Sequence, residues 1–465
     1  MKDHEVNNEL INNLSEEDKR GECDVRVAII GNVDSGKSTL VGVLSKGELD
    51  DGRGAARKKV FNFTHEAENG RTSSISQEIM GFDENDNWVE PERVTATKNQ
   101  SWGHITENSK KLITFIDLCG HEKYLKTTMF GLVGLLPDYC LIVIGANMGI
   151  TKMTREHLVI ALALKIPILV VITKVDIAPE EIYEKTKNKL ETILSSRSAG
   201  KKPLFVTEDN DVQDLAEQLY ASNLCPIFSV SNVYGDGIKH LKSFMSQLKS
   251  RIYLTGKFKP PSEPVEFMID GFYIVTGVGG VIAGTLVSGT VKLGDVLLLG
   301  PDSTGEFKPV IVRGIHYKRT PVEEVVSGQV CCFNIKPQNK KEQVKRSIFR
   351  KGMMLIGKDA EPESIWEFTA EIVILHNPTT IKPKYQAVIH CGVIRQAAKI
   401  VSINKDHLKM GDKGYVQFRF MYRPEYLKPG SALMMREGRT KGLGTVCTVT
   451  RTSKSTKTPT STKKP

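Results

Sequence analysis

Gly31, Gly36, Lys37 and Ser38 stand at the spacing G-x4-G-K-S in "GNVDSGKS", directly after the apolar run "VRVAII". Residues of these types can cradle a polyphosphate. Glycines let backbone N–H groups turn inward around phosphate oxygens, Lys37 offers a cation to the terminal phosphates, and the Ser38 hydroxyl can ligate Mg²⁺. Asn32, Val33, Asp34, Ser35 and Thr39 belong to the same loop and are assigned to the same ligand. "DLCGH", at 117 to 121, closes a second apolar run, "KLITFI". It puts Asp117 where it can hold Mg²⁺ through water, and Leu118 and Cys119 lead to Gly120, whose N–H can meet a γ-phosphate. "TKVD", Thr173 to Asp176, follows the run "PILVVI" and so lies at a strand's carboxyl end, where α/β sheets place ligands. The Asp176 carboxylate can accept from both the ring N–H and the exocyclic amine of guanine, a pair that adenine does not present. Lys174 can lie along the base, with Val175 between the two. Last, "SVSNVYGDG" sets Ser231, Asn232 and Val233 at a further strand end, to support the base through backbone contacts. Phosphate loop, switch, base reader and base support thus follow in order, which predicts GTP or GDP bound with Mg²⁺.

Such residues need strands that end side by side. From 23 to about 250, short apolar runs alternate with longer amphipathic ones, the pattern of parallel strands joined by helices. "VRVAII", "KLITFID", "YCLIVIG", "PILVVITK" and "PIFSVS" are the predicted strands, apolar enough to be buried on both faces. "TREHLVIALALK" and "IKHLKSFMSQLKS" are predicted helices. The stretch 46–110, polar and rich in Gly, Asn and Ser, reads as a partly mobile insertion. After the Pro-rich "LTGKFKPPSEP" the pattern changes to β-branched runs punctuated by glycine, such as "VGGVIAGTLVSGTVKLGDVLLLG". A second block of this kind contains "FTAEIVIL", "YQAVIHCGVI", "GYVQFRFMY", "SALMMREG" and "LGTVCTVT". The predicted fold is an α/β domain with a mostly parallel sheet flanked by helices, followed by two small antiparallel β-barrels. The expected divisions are an acidic mobile tail at 1–22, the α/β domain at 23–256, barrels at 257–358 and 359–450, and a basic disordered tail at 451–465.

Composition agrees with a globular chain. Of 465 residues 40% are apolar and 25% charged, and 64 Lys+Arg against 54 Asp+Glu leave a formal charge of +10, which suits an anionic partner such as RNA. Cys23, Cys119, Cys140, Cys225, Cys331, Cys332, Cys391 and Cys447 show neither CxxC spacing nor a neighbouring histidine cluster, so free thiols in a reducing cytosol are expected, without zinc. No apolar run approaches the roughly 18 residues that a membrane span needs, and no membrane partner is expected.

From about 25 to 450 the chain resembles a translational GTPase of the elongation factor Tu and elongation factor one-alpha class, and most closely the eukaryotic GTP-binding protein one and two group. The resemblance is carried by "GNVDSGKST", "DLCGHEKYLKTT", "TKVD", "GGVIAGTLVSGTVKLGD" and "REGRTKGLGTV". It implies a P-loop GTPase that hydrolyses GTP to GDP and phosphate, with His121 matching the histidine that orients the attacking water. Asp34 then matches a loop aspartate that helps hold a monovalent cation. In "NGRTSSIS" the resemblance assigns the switch-one Mg²⁺ ligand to Ser74, with Thr72 and Ser73 as alternatives.

Three departures from the pattern carry expectations of their own. Thr173 replaces an asparagine, which predicts modest guanine affinity; Cys119 replaces a proline, which predicts a less rigid switch; and Ser73 in place of the isoleucine that gates the site beside Val33 predicts a leaky gate. The resemblance implies a cytoplasmic monomer acting at the ribosome, with aminoacyl-tRNA as candidate cargo. An alternative is a GTP-regulated adaptor in RNA surveillance or mRNA decay, to which Arg451, Lys454, Lys457, Lys463 and Lys464 would add RNA affinity. A third reading is the GTPase subunit of a sulfate-activating enzyme.

Overall fold

A computed structural model describes residues 23–92, 98–207, 211–255, 258–339, 349–350, 352–377, 379–438 and 440–451. The expected acidic tail 1–22 and, apart from Arg451, the expected basic tail lie outside them. The chain divides into two compact units. One comprises Met1–Phe267, Ala283–Leu293 and Arg313–Asn334, and the other Met268–Ile282, Gly294–Val312 and Ile335–Pro465. No helix among the described residues is long and apolar enough to cross a membrane.

The first unit is built on strands β1 (Asp24–Gly31), β2 (Ser76–Phe82), β3 (Trp88–Val89), β4 (Lys111–Asp117), β5 (Tyr139–Gly145), β6 (Ile168–Thr173), β7 (Lys202–Phe205) and β8 (Leu224–Val230). Their order is β3-β2-β4-β1-β5-β6-β8-β7. Strand β1 runs parallel to β4 and β5, and β6 runs parallel to β8, as the apolar runs predict, while β7, outside the predicted strands, adds parallel to β8. Val25, Val27 and Ile29 enter one core with Leu141, Val143 and Val171, while Ala28 and Ile30 are equally buried. Both faces are therefore covered, and this is why the strands read as unbroken apolar runs.

The register aligns the ends that carry the predicted site. Ile29 pairs with Asp117, Gly31 with Val143, Gly145 with Thr173, and Thr173 with Val230. All four motifs thus emerge at the carboxyl edge of one sheet. The predicted helices are Lys152–Ala163, capped by Thr151, and Ile238–Gln247.

The stretch 46–110 contains more structure than its composition suggests. It holds helices Ala55–Lys58, Thr64–Asn69 and Lys98–Asn108 and the antiparallel strand β2, which pairs with β4 and is buried along nearly its whole length. Glu78 in "SQEIMGF" disguises that strand, because a carboxylate there argues against burial; Lys46 neutralises it at 2.7 Å.

The first barrel is a sheet of seven strands, six of them closed into a ring by pairing of Val296–Gly300 with Lys308–Tyr317. Its residues are shared between the two units. The second barrel is closed by the strands Ile365–His376, Lys413–Phe420, Ile394–Ile403, Gln386–Cys391, Ala432–Glu437 and Thr440–Arg451, in that order around the ring. Inside it, Phe368, Phe418 and Phe420 are fully buried, with ring centroids 5.1–5.3 Å from Phe368. The run "YQAVIHCGVI", which reads as one strand, is a hairpin that turns at Gly392, where φ is 52°. A tight turn inside an apolar run leaves no polar punctuation to detect.

One ion pair fastens segment 313–334 within the first unit. Lys318 Nζ donates to Asp24 Oδ1 at 3.1 Å and to Thr114 Oγ1 at 2.6 Å, and the Tyr317 hydroxyl donates to Asp24 Oδ2 at 3.2 Å. The lysine and aspartate side chains are 3% and 1% exposed. Removing one member of such a pair strands the other, so Lys318→Met is expected to cost about 3 kcal/mol or more. Adding Asp24→Asn should recover much of that loss, a non-additivity that denaturant unfolding of the single and double variants would measure.

Candidate functional site

A cleft of about 480 Å³ opens over the carboxyl ends of β1 and β4. It is lined by Val33, Asp34, Gly36, Lys37, Ser38 and Thr39 of the phosphate loop, by Gly120 and His121, and by the segment from Asn69 to Ser73, with Arg57, His65, Lys123 and Tyr124. The loop runs from the end of β1 to helix α1 (Lys37–Lys46), which starts at Gly36 with φ of 85°. An L side chain rarely adopts that conformation, so the tight entry into the helix requires glycine. Asp34 also lies in the left-handed region, at φ 60°. Asn32 O accepts from Lys37 Nζ at 2.6 Å and from Ser35 Oγ at 3.0 Å, which ties the loop to itself.

Asp117 and Leu118, at the end of β4, are fully buried, and Leu118 N donates to Ile29 O. Asp117 Oδ2 accepts from Ser38 Oγ at 2.6 Å, while Oδ1 is buried without a partner. Burial pushes the carboxyl up to about 6 against the pull of Lys37 and the Ser38 hydrogen bond. Burial likewise lowers the Lys37 ammonium, and Asp117 counteracts it. Gly120 closes the cleft. A Cβ there would lie 2.5 Å from Lys37 Nζ and 2.8 Å from Gly31 O, so any side chain would push the lysine aside.

The three hydroxyls proposed for the switch-one ligand separate in space. Thr72 Oγ1 lies 2.8 Å from Ser38 Oγ. Ser74 Oγ instead donates to Glu66 Oε1 at 2.9 Å, and so does Ser73 Oγ; their backbone N–H groups bond the same oxygen at 2.9 and 2.7 Å. Ser74 is thus engaged elsewhere, and Thr72, the alternative, stands at the Ser38–Asp117 corner. Glu66, fully buried, is the hub of this segment and was not singled out from the sequence. Burial raises its carboxyl, but the four bonds together outweigh that and hold it below the usual glutamate value. Arg57 and His65, also unassigned from sequence, sit on short helices of the same segment. The signal that could have found them is a polar side chain of each needed type between the first and second motifs.

Two hydroxyl oxygens, from Ser38 and Thr72, and an unpartnered carboxylate oxygen of Asp117 form a hard oxygen set, which fits Mg²⁺. Cys119, where the resemblance expects a proline, is bonded through both its side chain and its carbonyl. Its Sγ donates to Ser74 O at 3.5 Å and its carbonyl accepts from Thr128 Oγ1 at 2.8 Å, while burial raises the thiol to about 12. His121 is exposed and caps the turn Glu122–Tyr124, its Nδ1 accepting from Lys123 N at 3.0 Å. That bond leaves Nδ1 bare and puts the proton of the neutral ring on Nε2.

The base-reading residues lie beside this cleft and do not line it. Thr173 Oγ1 donates to Ser35 O at 2.6 Å, tying β6 to the phosphate loop. Lys174 has φ of 61°, which turns the chain so that Val175 and Asp176, both half-buried, leave the strand. A Cβ on Gly145 would lie 3.7 Å from Ser35 Cα and 4.0 Å from Lys174 Cδ, so the lysine stem passes close to the phosphate loop. Ser231 Oγ accepts from Val233 N and Tyr234 N at 3.3 and 3.1 Å, and Asn232 O accepts from Asp50 N at 2.8 Å.

Residues 23–251 match the family profile "Elongation factor Tu GTP binding domain", and residues 279–355 match "Elongation factor Tu domain 2". Over 423 residues the chain is 48% identical to GTP-binding protein 1 of Xenopus laevis, a match that covers 91% of this chain and 63% of that protein. It is 42% identical over 428 residues to GTP-binding protein 2 of Homo sapiens, covering 92% of this chain and 69% of that protein. Among solved structures, the GTPase-like domain of S. cerevisiae Ski7, bound to GTP, superposes with a TM-score of 0.67 at 14% identity, over 93% of this chain and 99% of that one. At that identity the likeness is one of fold.

Proposed function

Since the chain belongs to the elongation factor Tu family of GTP-binding proteins, we propose that it binds and hydrolyses GTP as a molecular switch acting at the ribosome, with aminoacyl-tRNA as its cargo. The observation that supports this most is that Lys37, Ser38, Thr72 and His121 line one cleft, with the buried Asp117 bonded to Ser38 behind it. In this reading the phosphate loop and Lys37 hold the β- and γ-phosphates, and Ser38, Thr72 and Asp117 hold Mg²⁺, directly or through water. The metal would offset charge on the phosphates. Asp176 reads guanine.

His121 positions the attacking water. Its exposed ring stands at the cleft wall, where the neutral Nε2–H can orient a water but cannot accept its proton. In this reading docking on a large partner turns the ring inward and frees Nδ1 from Lys123 N, and slow turnover of the isolated protein is the expected result. Replacing His121 by Ala is expected to lower ribosome-stimulated turnover about 10²-fold and to leave GTP affinity within a few-fold of wild type. Phosphate release measured with and without purified ribosomes and aminoacyl-tRNA tests both points. Turnover that ribosomes fail to raise, together with an inert His121→Ala, would sink the translational reading; GTP binding that survived that failure would favour the RNA-decay adaptor.

A further inference from the structure

Guanine has two hydrogen-bonding edges near its six-membered ring, and Asp176 answers one of them. Its carboxylate can take the N1–H and the 2-amino group, but O6 and N7 are acceptors and need a donor. Thr173, the natural candidate three residues earlier, is already committed: its hydroxyl donates to Ser35 O at 2.6 Å. A buried side chain stands beside it with nothing to do. Asn232 is 6% exposed, and its Oδ1 is buried without a hydrogen-bond partner. A Cβ on Gly36 would lie 3.2 Å from Thr173 Oγ1 and 3.6 Å from Asn232 Nδ2, so hydroxyl and carboxamide flank the same point of the phosphate loop.

The backbone around Asn232 is tightly held. Thr173 pairs with Val230 in adjacent parallel strands, which brings residues 231–233 alongside 174–176. Asp50 N bonds Asn232 O, and Ser231 Oγ takes the next two N–H groups. The backbone is thereby held while Oδ1 of the amide is left unsatisfied, and a buried polar group in that state calls for a further partner, a role that a ligand, an ion or a water can fill. We propose that the Asn232 carboxamide reads the O6/N7 edge of guanine, taking the place of the asparagine that Thr173 replaces. Nδ2 is the donor those acceptors need, and with Oδ1 unpartnered no protein hydrogen bond at that oxygen fixes the orientation of the amide.

This inference rests on the guanine reading proposed above and is tested by binding alone. The probes are GDP, 6-thio-GDP, which weakens the acceptor at position 6, and 7-deaza-GDP, which removes N7. Wild type is expected to prefer GDP to at least one of the two analogues. Asn232→Ala is expected to bind GDP about tenfold or more weakly and to lose that preference, because the donor it depended on has gone. Moving the carboxamide back, in Thr173→Asn/Asn232→Ala, should restore both affinity and preference, which also shows that the loss in the single variant was not misfolding. GDP affinity unchanged in Asn232→Ala, or affinity lost with the analogue preference intact, overturns the assignment. Failure of wild type to bind any guanine nucleotide would instead remove the guanine reading itself.

Discussion

Lys37→Ala is expected to weaken nucleotide binding by about 10²–10⁴. The ammonium is buried at the floor of the cleft, bonded to Asn32 O and close enough to Asp117 for each to shift the other's titration. In the proposed function it is the cation that the loop offers to the terminal phosphates, so its removal would leave both a bound phosphate and Asp117 without a counter-charge. Losing one partner of a buried charge pair costs about 3–5 kcal/mol. At about 1.4 kcal/mol per tenfold, the dissociation constant should rise by about 10²–10⁴. Calorimetric titration with GDP in the presence of Mg²⁺ measures this. A dissociation constant within threefold of wild type would mean that the loop does not hold the nucleotide. Gly120 gives an internal comparison, since a side chain there would displace the same ammonium by steric contact and leave its charge in place.

Asp176→Asn is expected to invert base preference from guanine to xanthine. In the proposed reading the wild-type carboxylate accepts from two donors; in the variant an NH₂ group would have to face one of them, and that donor–donor clash would leave a buried amine unpaired. Xanthine carries a 2-oxo group in place of the 2-amino group and so matches the amide. Discrimination built on such buried polar groups reaches about 10⁴–10⁵ in the best cases; for the half-buried Asp176 a swing of about 10²–10³ in the GTP/XTP ratio is expected. Competition of each triphosphate against a fluorescent nucleotide measures the ratio. Retained preference for GTP would take Asp176 out of the base site and would move attention to the other residues beyond Thr173. In the proposed reading the two substitutions act on opposite ends of the ligand, so their combined effect should be close to additive.

Much of the fold was legible because its strands are buried on both faces. Runs such as "YCLIVIG" have no exposed position to accommodate, and the motifs that follow them are set by turns of a few residues. Elements that escaped notice share a different property. Strand β2 hides a glutamate that a lysine 32 positions away neutralises, and the hairpin at Gly392 turns without polar residues. In neither case does the local sequence state the environment that makes the element stable.

The site divides along the same line. The amino-acid sequence by itself determined the phosphate loop, Asp117 with Gly120, and the order of the base motifs, because each depends on backbone geometry and side-chain type within a dozen residues. Only the tertiary structure decided which of Thr72, Ser73 and Ser74 stands against Ser38, since that depends on the grip of Glu66 on the other two. It also decided that the Thr173 hydroxyl is spent on Ser35, 138 positions away, and that Lys318 reaches Asp24 across 294. Contacts at such separations follow from how whole strands pack and register. A hydroxyl or an ammonium has no preference for a particular distant partner until the fold brings one within about 3 Å.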